Sequence, residues 1–129
     1  MARVQTKRVR KQIVFKISKS EARRLLTDVP EQYAFRCRDG EILRNMRELR
    51  DALLGMAEET FAYHSNSERS DFGNWVRDIV KDDKLERDLR KSLSRLQAAR
   101  SVAERFSFLS NKLAQTRYGG TAYTGRPGG

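Results

Sequence analysis

The chain has 129 residues, 38% hydrophobic and 34% charged, with a formal net charge of +10 and one cysteine. That composition suffices for one domain with a packed core and is too apolar for a chain disordered throughout. Cys37 alone excludes an intrachain disulfide and fits a reducing compartment, and no apolar run is as long as a signal-peptide core or membrane span, so a cytoplasmic protein with no membrane partner is expected.

Residues 1–24 hold nine basic side chains against one acid, Glu21, a net +8. Their first part, residues 1–11 with Arg3, Lys7, Arg8, Arg10 and Lys11, has too few apolar side chains to pack and reads as a flexible basic arm. An Arg-rich, acid-free start also imitates an organellar transit peptide, but Val4, Val9 and Ile13 make a thin apolar face for one. A single globular domain is expected over residues 12–115. It opens with a strand predicted over Gln12–Ile17, where Ile13, Phe15 and Ile17 share one side. A helix follows from Ser20 through Leu26, which Pro30 prevents from continuing because proline disfavours helical geometry in the residue before it.

Alternation returns from Tyr33 to Arg38, with Tyr33, Phe35 and Cys37 opposite Ala34, Arg36 and Arg38. Asp39-Gly40 supplies the positive φ angles of a tight turn, so Glu41 to Leu43 is predicted to return as the second strand of a hairpin. The Gln12–Ile17 strand is a candidate third member, since a lone hairpin is only marginally stable.

Asn45 and Glu48 form a capping box before a helix carrying Leu49, Leu53, Leu54 and Met56, with Gly55 weakening its last turn. A shorter helix is predicted over Glu58–His64, a polar loop over Ser65–Arg69, and then a helix capped by Ser70 or Asp71 that bears Phe72, Val76, Ile79, Val80 and the core anchor Trp75. Asp83 and Glu86 form a further capping box. From there to about Gln115 the spacing of Leu85, Leu89, Leu93, Leu96, Ala99, Ala103, Phe106 and Leu113 predicts one long helix with a continuous apolar stripe, open to a break near Ser107–Ser110. Residues 116–129 hold five of the eight glycines and read as a flexible tail. The expected class is therefore α+β and mostly helical: a small antiparallel sheet near the N-terminus, then a helical bundle ending in a long helix, with flexible termini.

His64 is the sole histidine, so Cys/His zinc sites and Cys-His nucleophile pairs are excluded, and no phosphate-binding glycine loop or serine elbow is present. No catalytic residue, cofactor or metal is expected. The densest unusual cluster is Phe61, Tyr63, His64, Ser70, Asp71, Phe72 and Trp75. One reading makes Tyr63, His64, Asp71 and Trp75 a pocket for a base, sugar or small anion, with Asp71 orienting His64. The favoured reading has the aromatics fill the core while His64 and Asp71 close a corner between helices, Asp71 also capping the helix it begins.

The run Phe35-x3-Asp39-Gly40-x-Ile42, then Glu48-Leu49-x3-Leu53, then Phe61-x-Tyr63-His64, then Ser70-Asp71-Phe72-x2-Trp75-Val76-Arg77-Asp78 resembles an uncharacterised domain family found mainly in archaea. Its members occur as small free-standing proteins or attached to larger chains, including glycosyltransferase-like ones, and usually read Asn-Asp-Phe in the last block. The resemblance spans roughly residues 33–90 and implies a cytoplasmic archaeal protein without implying an activity. Ser70 stands where the family usually has Asn; both cap helices, but a ligand-binding role of the Asn amide does not carry over.

Residues 25–99 carry 13 basic and 15 acidic groups, a net −2, while residues 100–129 return to +4. Like charge gathered at the ends favours a polyanionic partner, and the expected function is non-catalytic binding of structured RNA or the ribosome rather than DNA. Arg3, Lys7, Arg8, Arg10 and Lys11 are the expected phosphate contacts, with Lys16, Lys19, Arg23 and Arg24 behind them. The alternative is a protein-interaction or regulatory module, in which the long-helix stripe docks on a partner or a second copy. Arg87, Arg90, Lys91 and Arg95 make one helix face basic too, but such faces are usually just solvated.

Overall fold

A computed structural model describes residues 17–115. The predicted arm, the tail, and the predicted first strand up to residue 16 lie outside those residues.

The first helix, α1, is Lys19–Leu26; Ser18 caps it by accepting from the Glu21 amide at 3.0 Å. It starts one residue before the predicted Ser20, because the hydroxyl three places before Glu21 is that of Ser18. Ala22 and Leu25 turn into the core. A 3-10 turn at Glu31–Tyr33 leads to β1, Phe35–Arg36, which pairs antiparallel with β2, Ile42–Leu43, in the register Phe35 to Leu43 and Arg36 to Ile42. Gly40 has φ +99°, a region that side chains disfavour, and its amide donates to the Cys37 carbonyl at 3.0 Å. Phe35, Cys37 and Leu43 face the core, while Tyr33 at the head of the predicted alternation is half exposed.

Asn45 caps α2, Met46–Gly55, by accepting from the Glu48 amide at 2.8 Å. Glu48 reaches back past the cap to the Arg44 amide, also 2.8 Å. After α3, Glu58–His64, the chain crosses the loop to α4, Asp71–Trp75. α4 runs into one π-helical turn, Val76–Val80, which stops at Lys81 in the left-handed region, φ 67°. Arg24 of α1 donates to the Val80 and Lys81 carbonyls that this ending leaves open, at 3.2 and 3.3 Å.

The long C-terminal helix is shorter than the apolar spacing predicts. α5, Asp83–Lys91, ends at Ser92, and α6, Arg95–Ala114, starts after Ser94. The Ser94 hydroxyl accepts from the Gln97 amide at 3.1 Å while the Gln97 side chain takes the Leu93 amide at 2.8 Å. A capping box thus begins a new helix where Leu89, Leu93 and Leu96 suggest continuity. Leu93 is 91% and Leu96 57% exposed, so the stripe is interrupted, whereas no break occurs at Ser107–Ser110. The α5 cap is also one residue from its predicted place. Asp82, not Asp83, accepts from the Leu85 amide, at 3.2 Å.

α6 is the central element and packs against α2, α1 and α5. Ala98, Ala99, Val102 and Leu109 on α6 meet Leu49 and Leu53 of α2 and Leu85 of α5 in one core that includes Phe72 and Val76. The small Ala98 and Ala99 let neighbouring helices come close, and the larger side chains fill the space between them.

Candidate functional site

Of the predicted phosphate contacts, Arg3, Lys7, Arg8, Arg10, Lys11 and Lys16 lie outside the described residues. Lys19, Arg23 and Arg24 stand exposed on α1. Arg24 is engaged within the fold: besides its two backbone acceptors it pairs with Glu21 at 2.5 Å, and that bond pulls the Glu21 carboxyl below its ordinary range. Lys19 and Arg23 make no ion pair among the described residues and remain candidates for an external anion.

Most charges in the middle of the chain are matched internally. Glu31 pairs with Arg44 at 2.9 Å, Arg77 with Asp78 at 2.7 Å, and Glu86 with Arg90 at 2.5 Å. Asp88 pairs with Lys84 at 2.5 Å. The predicted basic face is split by the helix break. Arg95 bonds Glu58 at 3.0 Å and donates to the Leu53 and Leu54 carbonyls at 2.8 and 2.9 Å, closing the end of α2.

His64 is buried at the end of α3. Its Nδ1 lies 2.9 Å from Asp71 Oδ2, and its Nε2 accepts from the Arg38 amide at 3.0 Å. Because the amide can only donate, the ring is neutral with its proton on Nδ1, directed at Asp71. The nitrogen that a base or ligand site would use already holds the end of the hairpin. Around the ring, Phe35, Phe72 and Tyr63 stand 5.2, 5.3 and 4.9 Å away between centroids. Trp75 lies apart from this contact: its Nε1 donates to the Tyr33 carbonyl at 2.8 Å and its ring meets the edge of Phe35.

Asp71 does not cap α4 as its position suggests. Its carboxylate is shared between His64 and Arg69, the latter 2.9 Å away, and Ser70, the cap residue, makes no side-chain cap bond. Asn66 shapes the loop by accepting from the Glu68 and Arg69 amides, and Ser65 bridges Ser70. The loop so ordered sets Arg69 4.5 Å from the centre of the Tyr63 ring, and the hairpin sets Arg38 4.4 Å from it. Two guanidiniums therefore rest on one half-exposed tyrosine, held there through His64 and Asp71. Arg38 and Arg69 are the residues that sequence reasoning missed here. The available signal was weak: an outward strand position for one, and a place two residues before Asp71 for the other.

A second buried polar centre joins α5 to α6. The Asp82 side chain, 1% exposed, takes Arg105 through both oxygens at 2.8 and 3.0 Å while capping α5. Beside it a cleft of about 560 Å³ opens between α1, Lys81, α5 and α6, with Ile17, Leu25 and Phe108 among its walls. Another, about 500 Å³, lies along the 65–70 loop and the end of α5. Neither of these two is lined by Tyr63, His64, Asp71 or Trp75. Among the described residues no cluster of three or more His, Cys, Asp or Glu side chains is arranged to hold a metal ion, and no helix is long and apolar enough to cross a membrane.

No protein-family model, curated protein or solved structure matches the chain.

Proposed function

We propose that this is a small, non-catalytic nucleic-acid-associated protein that binds structured RNA, with the ribosome as the expected particle, through its basic ends. The observation that carries the reading is the contrast between +8 over residues 1–24 and −2 over residues 25–99. Self-repulsion at one end is relieved by a polyanion, and the internal pairing of charges in the body leaves that end as the main source of attraction. Arg3, Lys7, Arg8, Arg10 and Lys11 make the first phosphate contacts, and Lys16, Lys19 and Arg23 continue them toward α1. Arg24, tied to Glu21 and two carbonyls, contributes least. An archaeal, cytoplasmic setting belongs to the same proposal and rests on the resemblance in residues 33–90.

The test is RNA binding by the full chain and by a chain lacking residues 1–11, at two salt concentrations. With about four phosphates engaged, raising salt fourfold weakens the full chain on the order of a hundredfold, and the deletion removes most of that dependence. An affinity indifferent to salt, or unchanged by the deletion, overturns the reading.

A protein-docking function is the second reading, favoured by one observation. Leu54, Leu93 and Leu96 are 54%, 91% and 57% exposed around the place where α2 ends and α6 starts. A protein complex that survives the deletion and is lost in Leu96→Ser identifies this reading instead.

A further inference from the structure

The buried corner around His64 carries a charged surface on its outer side. Phe35 and Cys37 are buried, so Arg36 and Arg38 fall on the opposite, exposed side of the hairpin, and neither makes an ion pair among the described residues. The Arg38 guanidinium lies 4.4 Å and that of Arg69 4.5 Å from the centre of the same Tyr63 ring, which is 39% exposed. Two like charges are thus gathered at one ring, and the carboxylate bonded there, Asp71, bonds Arg69 alone of the two.

Asp71 takes Arg69 through Nε and one terminal nitrogen, at 3.4 and 2.9 Å. That grip fixes the plane of the guanidinium and leaves its remaining N–H groups without an acceptor among the described residues. The other acids of the hairpin face another groove: Asp39 and Glu41 line it with Glu48 and Asp51 of α2, and the Asp39 carboxylate accepts from the Glu41 amide at 3.0 Å. Glu68, next to Arg69 in the chain, makes no ion pair. Tyr63 holds Arg38, and Tyr63 with Asp71 holds Arg69, so both arginines lose little freedom on taking a ligand. Planar, paired N–H donors set in advance match the oxygens of a phosphate.

We propose that Arg38, Tyr63 and Arg69, with Arg36 beside them, form a docking point on the globular body for backbone phosphates of RNA. The inference rests on the RNA-binding reading above and adds a contact that the basic ends do not supply. Phosphate contacts fix orientation rather than sequence, so this point sets how the body sits on the RNA.

The test is binding of one RNA hairpin by the full chain carrying Arg38→Gln. The substitution spares the Arg38 amide, the part of that residue bonded to His64, so the corner keeps its fold. Arg77→Gln removes the same charge from an arginine already paired with Asp78 and is the control. Arg38→Gln is expected to weaken binding at low salt and to lower the slope of log affinity against log salt by about one, so that a fourfold rise in salt weakens it about threefold less than the parent. Arg77→Gln and Arg38→Lys are expected to keep the parent's slope. In nuclear magnetic resonance spectra of the unsubstituted full chain, the same RNA is expected to move the Arg38 and Arg69 Nε–H signals. RNA that binds with a slope unchanged by Arg38→Gln, or that leaves those signals in place, overturns the docking point while the reading of the basic ends stands. Equal losses of slope in Arg38→Gln and Arg77→Gln reduce the effect to net charge and overturn it too. A full chain that binds no RNA removes the proposed function and this docking point together.

Discussion

His64 and Asp82 are both buried and polar, yet the fold uses them in opposite ways. His64 is neutral, and its two nitrogens join a backbone amide of the hairpin to a carboxylate that still reaches solvent. Asp82 is a charge with a fully enclosed side chain, matched by both donors of Arg105 and by the first turn of α5. The first arrangement positions a strand end and, through Asp71, a surface arginine. The second joins two helices and tolerates no missing partner, because an unpaired charge in the interior costs far more than an unpaired amide near the surface.

The largest expected effect follows from that asymmetry. Asp82→Ala strands the Arg105 guanidinium and uncaps α5, and denaturant unfolding is expected to show a loss of about 3–5 kcal/mol. Replacing both partners with apolar side chains, Asp82→Leu with Arg105→Met, is expected to recover much of it. If the single variant is no less stable than the parent, the ion pair does not hold α5 to α6.

His64→Ala is expected to cost less. The Arg38 amide loses its acceptor, worth about 1–3 kcal/mol where it stays dry, while Asp71 keeps Arg69 and regains water. Amide exchange at Arg38 reports the change locally. An exchange rate at Arg38 unaltered by the substitution would separate the hairpin from the corner and undo the comparison.

The smallest effect lies in the same hairpin and changes with pH only in alkaline solution. Burial first, then Asp39 and Glu41, pushes the Cys37 thiol from its ordinary 9.0 up to about 12. An unfolded thiol loses its proton near the lower value and the folded one near the upper. Between them the folded state holds more protons, so its contribution falls as pH rises through that window and is fully present below it. Native protein at pH 8 should therefore resist thiol alkylation that the denatured chain undergoes quickly. Fast alkylation of the native chain would mean that the hairpin opens readily.

Much of the helical order is legible one residue type at a time. Asn45 with Glu48 marks α2, and Asp39-Gly40 marks the hairpin turn, because capping and turn chemistry act across three or four neighbouring residues. The break before α6 is written just as locally, in Ser94 and Gln97, but the apolar spacing of Leu89, Leu93 and Leu96 runs across it. Two local signals conflict there, and the packing of α6 against α2 resolves them by leaving Leu93 in solvent. Asp71 is a similar case. Its place at a helix start suggests a cap, and only the approach of α3 and the loop turns its carboxylate to His64 and Arg69 instead.

From the amino-acid order alone come the mostly helical class, the hairpin, the starts of α1 to α5 to within a residue or two, and the crowding of positive charge at one end. All of these depend on the residue itself or on partners a few positions away. The ties between His64 and Arg38, between Asp82 and Arg105, and between Tyr63 and its two arginines were decided by the tertiary structure. Most of these partners stand more than 20 positions apart in the chain, and a hydrogen bond or a ring contact depends on where the helices bring them, which no short stretch of sequence encodes.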